Sequence, residues 1–173
     1  MKPSALVLAA LLLSPGLASS AASGTATGVK WQTWDRGLEE ARASGRPVLV
    51  DVYTDWCGWC RRMEADVYSR PEVLDYLSRT FVSVKLDAEA PDAARYDGRS
   101  FTSRSLAAHF SVSGYPTTIF LRSAGDHLVN VPGYVDADRF LLLLHYIGDG
   151  HMDRGVSFQD FVKRSAGGGE ARR

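Results

Sequence analysis

In Val48-Leu49-Val50-Asp51-Val52-Tyr53-Thr54-Asp55-Trp56-Cys57-Gly58-Trp59-Cys60, a valine-rich apolar run broken only by Asp51 leads straight into the chain's two cysteines, three positions apart. An unbroken run of that kind is the pattern of a central strand covered on both faces of a parallel sheet. A Cys-x-x-Cys that follows such a strand and opens a helix brings two sulfurs within bonding range at a helix N-terminus, the setting of thiol-disulfide chemistry.

Moving outward, Thr33 or Asp35 can cap a helix reaching Ser44, with Leu38, Ala41 and Arg42 on one face and Gly45 as its stop. Val29 to Gln32 reads as an extra edge strand. Beyond the cysteines, Arg61 to Tyr68 continues as helix, and Ser69-Arg70-Pro71-Glu72 matches a capping box opening a second helix to about Arg79. Phe81 to Asp87 is a strand, Ala88 to Ser100 a long Asp-, Ala- and Gly-rich loop, and Ser103 to Phe110 a short helix. Tyr115 to Leu121 is a strand with Pro116 at its entrance, His127 to Val131 pairs back as a hairpin, and Asp136 caps an apolar helix, Ala137 to Ile147. A short helix, Ser157 to Arg164, follows. This order predicts an α/β fold with a central mixed β-sheet flanked by helices, one domain over residues 29–164, and a disordered tail from Ser165.

At 173 residues and 45% hydrophobic content the chain can bury one good core. Twenty basic and twenty acidic residues cancel, which gives no push toward nucleic acid or an anionic membrane and favours a partner read by shape and backbone contacts. Lys2, the apolar run Ala5 to Leu13, Pro15-Gly16 and the small residues after them read as an export signal over residues 1–22, followed by a flexible leader, 23–28. A membrane anchor is the alternative, but the run falls short of the roughly 20 apolar residues a span requires. Periplasmic or other export is therefore the expectation, with membrane contact only through the signal or a donor protein.

Export favours disulfides, yet a loop closed over three residues adds little as a staple, so Cys57 and Cys60 read as a redox pair. Cys57, at the helix start, has unpaired N–H groups beside its sulfur and is the expected nucleophile; Cys60, one turn on, is placed to resolve a mixed disulfide. An inert disulfide and half of a zinc site stay open as alternatives, although zinc wants four ligands and His109, His127, His145 and His151 are scattered. Asp51 reads as a carboxylate buried behind the cysteines with a raised pKa, the alternative being a strand-end aspartate facing water. Pro116 reads on its own as a strand-entry proline.

Taken in order, Val48-Leu49-Val50-Asp51, Trp56-Cys57-Gly58-Trp59-Cys60, Lys85, Gly114-Tyr115-Pro116-Thr117 and Gly133-Tyr134 resemble the thioredoxin superfamily over roughly Val29 to Ile147. Within it, Trp-Cys-x-Trp-Cys followed by Arg61-Arg62-Met63-Glu64 is similar to exported bacterial thioredoxin-like proteins. The resemblance implies that Asp51 takes the proton of Cys60, that Lys85 partners Asp51, and that Pro116 is cis and faces the disulfide. It also implies that the backbone at Tyr115 pairs with an extended partner segment, with Trp56 and Trp59 as an apolar rim. No cofactor beyond the dithiol is expected; the partners are disulfide-containing proteins and a membrane electron donor. Thioredoxin has proline where this chain has Trp59, so its potential does not transfer. A non-catalytic binding module and a metal-handling protein are the rival functions.

Overall fold

The structure, a computed structural model, describes residues 28–167; the expected signal, nearly all of the leader and most of the tail lie outside them. The central sheet has the order β2-β1-β5-β6, built from β1 (Val48–Tyr53), β2 (Val82–Asp87), β5 (Thr117–Leu121) and β6 (His127–Pro132). β1 and β2 are parallel, while β5 runs antiparallel to both β1 and β6, so the sheet is mixed. A separate hairpin joins β3 (Ala93–Tyr96) to β4 (Arg99–Thr102).

Alternation along β1 determines which side chains reach the cysteines. Val48, Val50 and Val52 point into a core shared with Trp34, Leu38 and Ala41 of α1 (Trp34–Ser44) and Leu106 and Ala107 of α4 (Ser103–His109). Leu49 points the other way, into a core with Met63 of α2 (Gly58–Asp66), Val73 and Leu77 of α3 (Pro71–Thr80), and Phe140 and Leu144 of α5 (Ala137–Gly148). Asp51 shares Leu49's parity, so it lies on the face covered by the cysteine helix. In the ladder it is opposite Lys85 of β2 and Thr118 of β5. Burying each of these aliphatic side chains contributes about 1.5–3 kcal/mol.

Several local expectations are corrected. The loop Ala88 to Ser100 contains β3 and half of β4, turning at Asp97-Gly98, where both residues have positive φ (48° and 70°) as a tight two-residue hairpin requires. The capping box expected at Ser69 does not form: Arg70 is the N-cap of α3, Glu72 pairs with Arg70, and the Ser69 hydroxyl donates to the Ala65 carbonyl instead. A reciprocal capping box occurs at Thr102 and Ser105, heading α4. Thr33 is the N-cap of α1 without a side-chain bond, and Asp35, inside the first turn, accepts the Arg95 N–H. Val29 to Gln32 makes only one bridge, Gln32 to Val84, and α6 (Phe158–Gly167) runs past Arg164 into the expected tail.

Candidate functional site

Cys57 is the N-cap of α2, and its sulfur accepts the Cys60 N–H at 3.0 Å. The two cysteines are joined as a disulfide with their Cα atoms 5.3 Å apart. Cys57 is 4% exposed and Cys60 half-buried. Beside Cys60 opens a cavity of about 270 Å³ lined by Tyr53, Thr54, Asp55, Arg61, Glu64 and Lys85.

On the β1 face that α2 covers, Asp51 is 3% exposed and its Oδ2 lies 3.7 Å from the Lys85 ammonium. Burial pushes its carboxyl up to about 6, against the opposing pull of Lys85. Lys85 is shared, since its ammonium also meets Glu64 Oε2 at 2.5 Å. Asp51 Oδ1, the Tyr68 hydroxyl and the Thr118 hydroxyl are all buried without a hydrogen-bond partner. Burial, and next the Asp51 charge, hold the Tyr68 phenol well above its ordinary range.

Around the disulfide stands an aromatic rim. Trp56 and Trp59 are 64% and 56% exposed, the two large hydrophobic side chains most open to solvent among the described residues. Trp56 packs edge-on to Tyr115 at 5.9 Å and donates its indole N–H to Glu89. Trp59 leans on Tyr134 at 5.5 Å, with the Arg62 guanidinium over both rings. The Tyr115–Pro116 peptide is cis, and the Pro116 carbonyl accepts the Gly133 N–H.

A family model described as a thioredoxin-like domain matches residues 34–148. The chain belongs to the thioredoxin-like family. The thiol:disulfide interchange protein DsbD of Cronobacter sakazakii is 36% identical over 113 residues, covering 64% of this chain and 18% of that protein. The chain thus spans under a fifth of the length of the curated relatives it matches. A thioredoxin-fold protein from Helicobacter pylori superposes with a TM-score of 0.62 at 21% identity, over 70% of this chain and 80% of that one. A thioredoxin from Thermus thermophilus does so at 0.56 and 26% identity, over 72% and 95%.

In this thioredoxin-like site Lys85 and Cys60 line one cleft and Asp51 lies against Lys85, with Cys57 at the head of α2 and Trp56 against Tyr115. Lys85 faces two carboxylates rather than the one expected. Glu64 lies four residues after Cys60 and so on the same helix face, but nothing local showed that it meets Lys85. Trp31, Tyr68 and Glu89 had no local signal; distant packing delivers them. Among the described residues, no group of three or more His, Cys, Asp or Glu is placed to hold a metal ion, and no helix is long and apolar enough to cross a membrane.

Proposed function

We propose that this thioredoxin-like chain is an exported reductase of protein disulfides, recharged by a membrane electron donor. Its enzyme class is thiol-disulfide oxidoreductase. The observation that carries the reading is a disulfide at the head of α2 together with a carboxylate, Asp51, buried on the strand face that α2 covers and pushed up by burial to about 6. Export rests on the sequence pattern of residues 1–22, and the donor on the need to re-reduce the pair.

In the reduced enzyme the Cys57 thiolate attacks a partner disulfide, and one partner sulfur leaves as a thiolate that takes a proton. Cys60 then gives its proton to Asp51 and attacks the Cys57 sulfur. The partner's second sulfur departs, and the Cys57–Cys60 disulfide forms; two electrons have passed from dithiol to partner. Exposure alone would favour Cys60 as the attacking residue, but unpaired N–H groups at the start of α2 stabilise the thiolate at Cys57. Lys85 steadies the Asp51 charge, while Trp56, Trp59 and the Tyr115–Pro116 backbone receive an extended partner segment. The electrons reside in the cysteine pair itself.

The test is insulin reduction with dithiothreitol as electron source. Wild type should accelerate it, Cys57→Ser should abolish the acceleration, and Cys60→Ser should trap a disulfide-linked partner on Cys57. No acceleration by wild type, with Cys57→Ser identical to it, would leave the non-catalytic binding module as the better reading.

A further inference from the structure

Lys85 is contacted on several sides. Glu64 and Asp51 approach its ammonium at 2.5 and 3.7 Å, while the rings of Trp31 and Tyr53 lie 4.8 and 5.1 Å from it. Tyr53 comes from the end of β1, whereas Trp31 precedes α1 and lies outside the cysteine motif. Trp31 is held in place from its neighbour: Gln32 donates to the Ser83 carbonyl at 2.8 Å and accepts the Lys85 N–H at 3.0 Å. That bridge ties the segment to β2 beside Lys85. The indole also packs edge-on to Tyr68 at 5.0 Å, and its N–H is buried without a partner, so packing of the ring rather than a hydrogen bond orients it.

We propose that Trp31 and Tyr53 form an aromatic clamp that keeps the Lys85 ammonium between Asp51 and Glu64. Trp31 is thereby a positioning residue for the proton step at Cys60, acting through Lys85 and Asp51. The inference rests on the mechanism proposed above. A lysine ammonium is a point charge on a flexible four-carbon stem. The Lys85 ammonium already bonds Glu64 at 2.5 Å, and because the Glu64 side chain is 46% exposed, the pair can swing into solvent away from Asp51 unless something holds it. The ring faces do this, since their negative quadrupoles attract the ammonium most strongly where water is scarce, and the Lys85 side chain is only 27% exposed. Without the indole face, the Lys85–Glu64 pair swings outward and Asp51 loses its compensating charge. Its carboxyl then keeps a proton to higher pH and accepts the Cys60 proton less readily at a given pH. The titratable and charged groups acting on Asp51 are Lys85 from β2, Glu64 from α2, Tyr68 beyond α2 and Tyr53 from β1; Cys60 of α2 lines the same cleft as Lys85 and Glu64, and β5 places Thr118 opposite Asp51.

The substitution that isolates the ring face is Trp31→Leu, which keeps apolar cover but removes the quadrupole, with Trp31→Phe as the conservative rescue. In insulin reduction, Trp31→Leu should move the acid limb of the pH-rate profile up by about half a pH unit or more, and Trp31→Phe should restore most of that shift. In a Lys85→Met background, Trp31→Leu should add no further shift. A Trp31→Leu profile that superposes on wild type, or an equal shift in the Lys85→Met background, overturns the clamp. A readout independent of any variant folding comes from NMR of the wild type. The Lys85 ε-methylene protons should resonate upfield of solvated lysines through the two ring currents, and solvated-lysine shifts would also overturn it. If the wild type reduces no disulfide, the proposed function fails while the NMR result still decides the clamp.

Discussion

Asp51 is pulled in opposite directions by burial and by Lys85, and burial wins. With its carboxyl raised from 3.8 to about 6, the folded state holds more protons than the unfolded state between those values. Stability therefore falls as pH rises through that window, and the whole cost is present above about 6. Replacing Asp51 with Asn should stabilise the protein at pH 7 by up to about 3 kcal/mol and have little effect below about pH 4, as read by urea unfolding at both values. The same substitution should slow insulin reduction by roughly 100-fold, the usual contribution of a positioned base. Faster turnover in Asp51→Asn would remove Asp51 from the mechanism. Asp51 was legible in the sequence because one charge in an apolar strand is conspicuous. The second carboxylate on Lys85 was not, since Glu64 of α2 reaches Lys85 of β2 only in the folded chain.

Among the elements, α1 approaches β2 so closely that a Cβ on Gly37 would lie 2.1 Å from the Val84 side chain. Gly37→Ala should therefore destabilise by about 1–3 kcal/mol, measured by chemical denaturation, although alanine is the better helix former. A Gly37→Ala protein as stable as wild type would mean that α1 shifts freely on the sheet. Gly98 offers a milder case: its positive φ with open space around it predicts a cost of about 1 kcal/mol for Gly98→Ala. Asp97-Gly98 was readable as a hairpin turn, yet the flanks Ala93-Ala94-Arg95 and Arg99-Ser100-Phe101 alternate too weakly to announce strands. The hairpin is fastened by tertiary bonds, with Trp34 donating its indole N–H to the Arg95 carbonyl and Asp35 accepting the Arg95 N–H. At Ser69 the error ran the other way: a local capping motif was present, but its hydroxyl bonded backward into the preceding turn.

Across the whole molecule, formal neutrality combines with two exposed tryptophans beside the disulfide. On the proposed function, this surface would receive a partner by apolar contact and backbone pairing more than by charge. Replacing both Trp56 and Trp59 with Ala should raise KM for a protein disulfide roughly tenfold while leaving the rate with a small aromatic disulfide within about twofold. Equal losses on both substrates would show that the rim tunes the sulfurs rather than receiving the partner. The sequence by itself determined the chain order of the central-sheet strands and the helices, the cysteine pair at a strand-to-helix junction and the lone aspartate in the strand before it. Each of these depends on periodicity or spacing within a few residues. Only the tertiary structure decided that Lys85 is shared with Glu64, that Trp31 and Tyr53 cover it, and that Tyr115 and Tyr134 back the two tryptophans. Those contacts join residues from separate elements, and their geometry is set by how helices and strands pack, which no local pattern encodes.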